Sequence, residues 1–266
     1  MSIYFGEHTW PELKEYAEKD ALVVVPVGMF EQHGTHLPVS TDSDLVWEIC
    51  KTACERIKDD IPTLLLPNVW TGYHGKKVAE WPGSISLRPE TLLNFVYDIV
   101  ASLVKQGFKK IVIANGHGQN PAILELVSRK IADDFDVVVL SAMPVFMLGK
   151  KGGEIRTSEQ GGMGGHADEL ETSLMLKLKS DLVDMTKAPF DPPKYRSKFV
   201  AGDMFPKHEV IKGAYWSSFH IQKTVSGAQG DATSATKEKG DKFFDLIMKN
   251  FIELLTEYYN FTYEEE

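Results

Sequence analysis

ALVVVPVGMFEQHGTHLPVSTDSD, residues 21–44, holds both the signal for the fold and the first half of a site. Residues 21–27 form an unbroken apolar run dominated by valine. A run without polar alternation predicts a strand buried on both faces, as in a parallel sheet. Gly28 ends it and a polar loop follows. Thr41 or Ser43 then opens a helix to about Ile57, with Asp44 favoured near the positive end of the helix dipole.

Working outward, the same alternation of strand and helix recurs. Residues 63–68 read as a second strand. Residues 69–87, rich in Gly, Trp and Lys, read as a long irregular loop, and loops of that length usually bind something. Pro89 opens a helix that reaches about Gln106 and is stopped by Gly107. Residues 110–114 (KIVIA) are a third strand, 115–118 a tight turn, and Pro121 starts the next helix. Residues 137–140 are a fourth strand. The Gly-rich stretch 149–165 reads as a mobile loop or lid, followed by a helix over 167–178. Residues 183–225, with Pro189, Pro192 and Pro193, read as an extended excursion. The last helix runs over about 234–258 with an apolar face of Phe243, Phe244, Ile247, Phe251 and Leu254. The tail 264–266 reads as a solvated end. Strands alternating with helices predict a mostly parallel central sheet with helices on both faces, and one domain over residues 1–266.

Bulk composition narrows the function classes. The 266 residues carry a net charge of −9, which argues against nucleic-acid binding, where a basic face is usual. No apolar stretch approaches the ~20 residues needed to cross a bilayer, and no basic-then-apolar leader opens the chain. The two cysteines, Cys50 and Cys54, share a predicted helix face and suit a reducing compartment. The expectation is a soluble cytoplasmic protein acting on a small molecule.

The chemistry concentrates at one predicted edge. The loop after the first strand carries Glu31, His33 and His36, and Asp42 follows shortly; the loop after the third strand carries His117. In open α/β sheets, sites form outside the carboxyl ends of the strands. Imidazole with carboxylate suits Zn, Mn or Fe better than Ca or Mg. A short carboxylate such as Asp42 can bridge two ions, and two ions lower the pKa of a shared water toward neutrality.

At this point the sequence resembles a known family. Val25–Asp44, Asn115-Gly116-His117, the WPGSISL stretch 81–87, His166-Ala167-Asp168-Glu169-Leu170-Glu171-Thr172-Ser173 and the GDATSATKEKG stretch 230–240 resemble, in order, segments of the creatininase family. The resemblance implies a three-layer α/β/α fold and a centre of one or two divalent transition metal ions (Zn, Mn or Fe). It assigns Glu31 and His117 to one metal, His33 to the other and Asp42 as the bridge. It also makes His166 a catalytic group; an imidazole titrates near working pH and can protonate a leaving amine. Glu171 either orients a ligand histidine or reaches a metal itself. The resemblance further implies a homo-oligomer, a hexamer by analogy.

The pattern departs from creatininase at four places. Asp168 replaces a glycine. Gln119 stands where creatininase has a metal-binding glutamate. Met143 and Gly162 stand where it has two tryptophans around a flat substrate, and losing such stacking partners forfeits about 1 kcal/mol each beyond the lost area. The expected substrate is therefore a small polar cyclic amide or formamide-like molecule, not creatinine, whose carbonyl is attacked by metal-bound hydroxide. The alternatives are hydrolytic opening of a cyclic diketone such as an oxidised cyclitol, and a non-catalytic metal- or metabolite-binding module. Lys76, Lys77, Arg156 and Lys223 are candidates for meeting acidic or hydroxyl-rich groups. Tyr215, Trp216 and Phe219 are candidates for an interface or for covering the site.

Overall fold

The valine-rich run divides its side chains between two cores. β1 (Leu22–Val27) is buried at every position. Leu22 and Val24 join one apolar cluster, while Val23, Val25 and Val27 join another. Period-two alternation of a uniformly apolar strand thus feeds a layer on each face. β1 pairs in parallel with β2 (Thr63–Leu65) and with β3 (Lys110–Asn115), and β4 (Val139–Ala142) extends the sheet in the order β2-β1-β3-β4. This computed structural model describes residues 2–76, 80–159, 161–192, 198–199, 203–207, 209–211 and 224–262. Lys77, Lys223, Tyr215, Trp216, Phe219 and the tail 264–266 lie outside the described residues.

The α-helices, in chain order, are α1 (Trp10–Glu18), α2 (Thr41–Ile57), α3 (Pro89–Lys105), α4 (Pro121–Phe135), α5 (Gly149–Ile155), α6 (Glu169–Leu178) and α7 (Lys237–Asn260). Helices α1, α3 and α4 cover one face of the sheet; α2, α5, α6 and α7 cover the other. This is the three-layer α/β/α sandwich. The apolar face of α7 runs Phe243, Ile247, Phe251, Leu255 and Tyr258, so the stripe passes through Leu255 where the sequence suggested Leu254. A second sheet stands apart from the first. β5 (Met163–His166), β6 (Phe190–Asp191) and β7 (Gln229–Asp231) are antiparallel in the order β5-β7-β6.

The expectation of a lid over 149–165 is corrected. Its described residues hold α5 and most of β5, and contacts anchor residues 156–158 between them. Arg156, a candidate substrate contact, instead pairs with buried Asp203 at 2.6 Å. The Thr157 and Ser158 N–H groups donate to Glu169 at 2.9 and 3.1 Å. Lys239 Nζ from α7 completes that cluster, 2.6 Å from Glu169 Oε1, with Glu169 fully buried. Breaking a buried ion pair leaves an uncompensated charge. Lys239→Met is therefore expected to lower unfolding stability by about 3 kcal/mol, read as a lower midpoint in urea denaturation.

Candidate metal centre

Each chemical group reaches one crevice from the end of a strand or the start of a helix. The loop leaving β1 carries Glu31 and His33. Helix α2 begins at Thr41, so Asp42 lies in its first turn. The turn leaving β3 carries His117, and it is pinned by two asparagines. Asn115 Nδ2 donates to His117 O at 2.7 Å, and the His117 N–H donates to Asn115 Oδ1 at 3.1 Å. Asn120 Nδ2 donates to Asn115 Oδ1 at 3.2 Å, and Asn120 Oδ1 accepts from Tyr73 N–H at 2.9 Å. His166 ends β5, and Glu171 lies in the first turn of α6. Asp168 caps that helix, its carboxylate accepting from Leu170 N at 2.9 Å and Glu171 N at 3.2 Å. Capping explains an aspartate at a position where the family resemblance suggests glycine.

The carboxylate of Asp42 faces two ways. Oδ1 is 3.2 Å from His33 Nε2 and Oδ2 is 2.8 Å from His117 Nδ1. Glu31 Oε1 lies 3.4 Å from His117 Nδ1, and Glu171 Oε2 lies 3.7 Å from His33 Nε2. Three overlapping sets of donor atoms result, each within 4.8 Å: Glu31 with Asp42 and His117, His33 with Asp42 and Glu171, and Glu31 with His33 and His166. Both central imidazoles are oriented from behind by backbone carbonyls. His33 Nδ1 donates to Glu31 O at 3.1 Å, and His117 Nε2 donates to Tyr73 O at 3.0 Å. That leaves Nε2 of His33 and Nδ1 of His117 turned toward the carboxylates, the arrangement usual for metal-ligating histidines.

The electrostatics fit a cation. Burial opposes charge on His33, yet Asp42, Glu171 and Glu31 outweigh it and raise the imidazole to about 10. His117 is likewise held well above its ordinary value, burial being outweighed by Glu31 and Asp42. Burial raises Glu171 to about 8 despite the neighbouring His33. Protons thus occupy the inner nitrogens where the carboxylates demand positive charge. Glu31 Oε2 is buried with no hydrogen-bond partner. A buried carboxylate oxygen without a donor is a costly feature that a metal ion would satisfy.

His166 differs from the others. Its Nδ1 is 3.2 Å from Glu31 Oε1, and its side chain is 15% exposed against 4% for Glu31. Its ring centroid is 4.4 Å from that of His33. Burial lowers its pKa to about 4, so it is neutral here. Gln119 takes a different place. Its Oε1 accepts the Gly75 N–H at 2.9 Å, holding the 73–75 loop against the His117 turn. His36 is not in the donor sets; its Nε2 meets Thr172 Oγ1 at 2.7 Å, tying the β1 loop to α6. Met143 is half-buried. At Gly162 a Cβ would collide with the Ser158 side chain, so no aromatic wall fits there.

Sequence reasoning missed the supporting groups. Tyr73 acts through its carbonyl, and a backbone atom carries no sequence signal. Gln32 and His74 were passed over, although Gln32 stands between two ligand candidates. His74 is buried, and burial lowers its pKa even though the charge of Glu31 acts on it.

Residues 6–255 match the family described as Creatininase, creatinine amidohydrolase. The chain belongs to the creatininase family. It is a metal-dependent hydrolase, which removes the reading as a non-catalytic binding module. Among curated relatives, the creatinine amidohydrolase of Pseudomonas putida is 30% identical, over 96% of this chain and 97% of that protein. The 3-dehydro-scyllo-inosose hydrolase of Thermotoga maritima is 28% identical, over 92% of this chain and 80% of that protein. Among solved structures, a creatininase described as an Mn form superposes with TM-score 0.79 at 26% identity, covering 98% of this chain and 100% of that one. A glutamate-to-glutamine creatininase variant described as a Zn–Zn type superposes with TM-score 0.77 at 28% identity, covering 98% and 99%. A divalent transition metal is the cofactor of this creatininase-family chain.

Proposed function

We propose that residues 1–266 form one enzyme unit that hydrolyses a carbon–nitrogen amide bond, cyclic or formamide-like, in a small polar substrate other than creatinine. The observation that carries the reading is the two-sided Asp42 carboxylate, 3.2 Å from His33 and 2.8 Å from His117. Glu31, Asp42 and His117 would hold one divalent ion, and His33, Asp42 and Glu171 the other. Ions bound there supply Lewis acidity and water acidic enough to act as a nucleophile near neutral pH.

The chain's own groups supply the rest. His166, the partly exposed member of the cluster, faces the substrate beside His33. Water adds to the carbonyl carbon and gives up a proton. Neutral His166 takes up that proton and becomes an imidazolium. The carbon–nitrogen bond breaks, its electron pair leaves with nitrogen, and the imidazolium gives nitrogen a proton and returns to its neutral form. An amide and water become a carboxylic acid and an amine.

Glu171 supplies the second position with the carboxylate that Gln119 does not. Glu171→Gln is expected to reduce bound metal from about two ions per chain to about one, measured by elemental analysis after gel filtration. Retention of both ions would remove Glu171 from the ligand set.

A second reading, ring opening of a cyclic diketone such as an oxidised cyclitol, draws on Gly162 and Gln119. The absence of a possible aromatic wall at Gly162 and the neutral amide at Gln119 suit a hydroxyl-rich ring that brings its own oxygen ligands. Zn- or Mn-loaded protein should be screened against cyclic amides, formamides and cyclic polyhydroxy ketones. Amide turnover supports the first reading; ketone ring opening with no amide turnover replaces it with the second.

We also place the protein in the cytoplasm as a homo-oligomer, a hexamer by family analogy. Two buried free thiols, Cys50 and Cys54, support a reducing compartment. Among the described residues no helix is long and apolar enough to cross a membrane. Trp70, packed edge-on to Phe30 at 5.1 Å and 47% exposed, gives an apolar contact suited to assembly.

A further inference from the structure

His166 has a neighbour that decides which of its nitrogens carries the proton. The side-chain amide of Gln32 is buried and held at both ends by backbone. Its Oε1 accepts the Gly34 N–H at 3.0 Å, and its Nε2 donates to Gly227 O at 2.9 Å. A backbone N–H can only donate and a carbonyl can only accept, so the amide has one allowed orientation. Gly227 makes room for this arrangement. It has φ +87°, and a Cβ there would collide with Gln32 Oε1.

The second N–H of that amide lies 3.0 Å from His166 Nε2. His166 Nε2 also lies 2.9 Å from the main-chain oxygen of Gln32. The two contacts require opposite tautomers. If Nε2 carried the proton, it would donate to Gln32 O but would also point a donor at the amide N–H. The bare Nδ1 would then face the Glu31 carboxylate, lone pair to lone pair, at 3.2 Å. If Nε2 accepts from the amide, the proton is on Nδ1 and meets Glu31 Oε1. Both nitrogens then have a partner of the right kind, against one mismatched approach, the Nε2 lone pair to Gln32 O, where the other tautomer has two.

We infer that Gln32 is a positioning residue that keeps the proton of His166 on Nδ1, aimed at the reacting centre. The same placement sets His166 apart from the ligand set: His33 and His117 keep a proton on the outer nitrogen against a carbonyl and can yield the inner nitrogen to an ion, whereas His166 carries its one proton on the inner Nδ1. The set formed by Glu31, His33 and His166 is then where a proton is delivered, not an ion position. This rests on the reading of His166 as the proton donor, and deepens it by naming the atom and what holds the proton there.

The test uses Zn-loaded full-length protein with ¹⁵N-labelled histidine, His166 being identified by the signals lost in His166→Gln. The expected wild-type pattern is a protonated Nδ1 and an accepting Nε2. In Gln32→Met the amide donor is gone while the main-chain oxygen remains, so the proton is expected to move to Nε2. Turnover, kcat, should fall about a hundredfold, the lower range of general acid–base contributions, with KM and zinc content unchanged. Gly227→Ala, which displaces the same amide from outside the ligand shell, should produce the same reversal. A wild-type Nδ1 bound to zinc, a wild-type proton on Nε2, or an unchanged tautomer in both variants would overturn the inference. So would a reversed tautomer at full kcat. Failure of the donor role itself would show separately, as full turnover in His166→Ala, and leaves the tautomer signals readable.

Discussion

Asp42→Ala is expected to leave the protein with almost no tightly bound divalent metal and with kcat/KM lowered by about four orders of magnitude or more. The reason lies in shared geometry. His117 belongs to one of the two proposed ion positions and Glu171 to the other, but Asp42 belongs to both. Alanine removes the Oδ1 contact to His33 and the Oδ2 contact to His117 in one step. It also removes a negative charge that holds both imidazoles ready for a cation. Asp42→Asn tests charge against shape, since the amide keeps one acceptor oxygen but no charge to share between two ions. Elemental analysis and turnover read both variants. Asp42→Ala protein that kept a full metal complement would refute the shared-ligand arrangement.

His166→Ala is expected to do the opposite to metal and similar harm to chemistry. Metal content should stay at the wild-type level, while kcat falls by about two to four orders of magnitude with little change in KM. His166 contacts Glu31 Oε1 and lies tilted beside the His33 ring, yet it remains the partly accessible member of the cluster. On the proposed mechanism, a residue at that place meets the substrate's leaving atom and the fully enclosed groups meet the ion. Ala167, with φ +48°, holds the chain in the left-handed region between His166 and the cap Asp168. Such a conformation costs about 1–3 kcal/mol and persists where the surroundings enforce it. Here the Ala167 N–H donates to Glu171 Oε2 at 2.6 Å, so the segment after His166 is tied to the Glu171 carboxylate. A His166→Ala protein with wild-type kcat on the true substrate would end its assignment as the acid.

Much of this site was legible before any coordinates. Glu31, His33, Asp42 and His117 follow strand ends or open a helix, and an α/β sheet delivers such positions to one edge. Glu171 was legible as a candidate with two roles open, orienting His33 or joining a metal set; its 3.7 Å separation from His33 Nε2 and its grouping with His33 and Asp42 support the proposed second role. The stretch 149–165 was misread because its glycines suggest mobility. The contacts that anchor residues 156–158 come from Glu169 and Asp203, with Lys239 behind Glu169, residues whose contact no local pattern reveals. The small antiparallel sheet was missed for the same reason: strands of two to four residues carry little periodic signal.

The amino-acid sequence by itself determined the layered fold, because an unbroken apolar strand needs cover on both faces, and it determined the ligand types. Only the tertiary structure decided how their polar atoms face one another. It turned the two oxygens of Asp42 toward different histidines. It set the Tyr73 carbonyl behind His117, and it locked the Gln32 amide between Gly34 and Gly227. Each of these is a matter of direction at about 3 Å between residues remote in the chain, and hydrogen bonds and metal ligation depend on direction as strongly as on residue type.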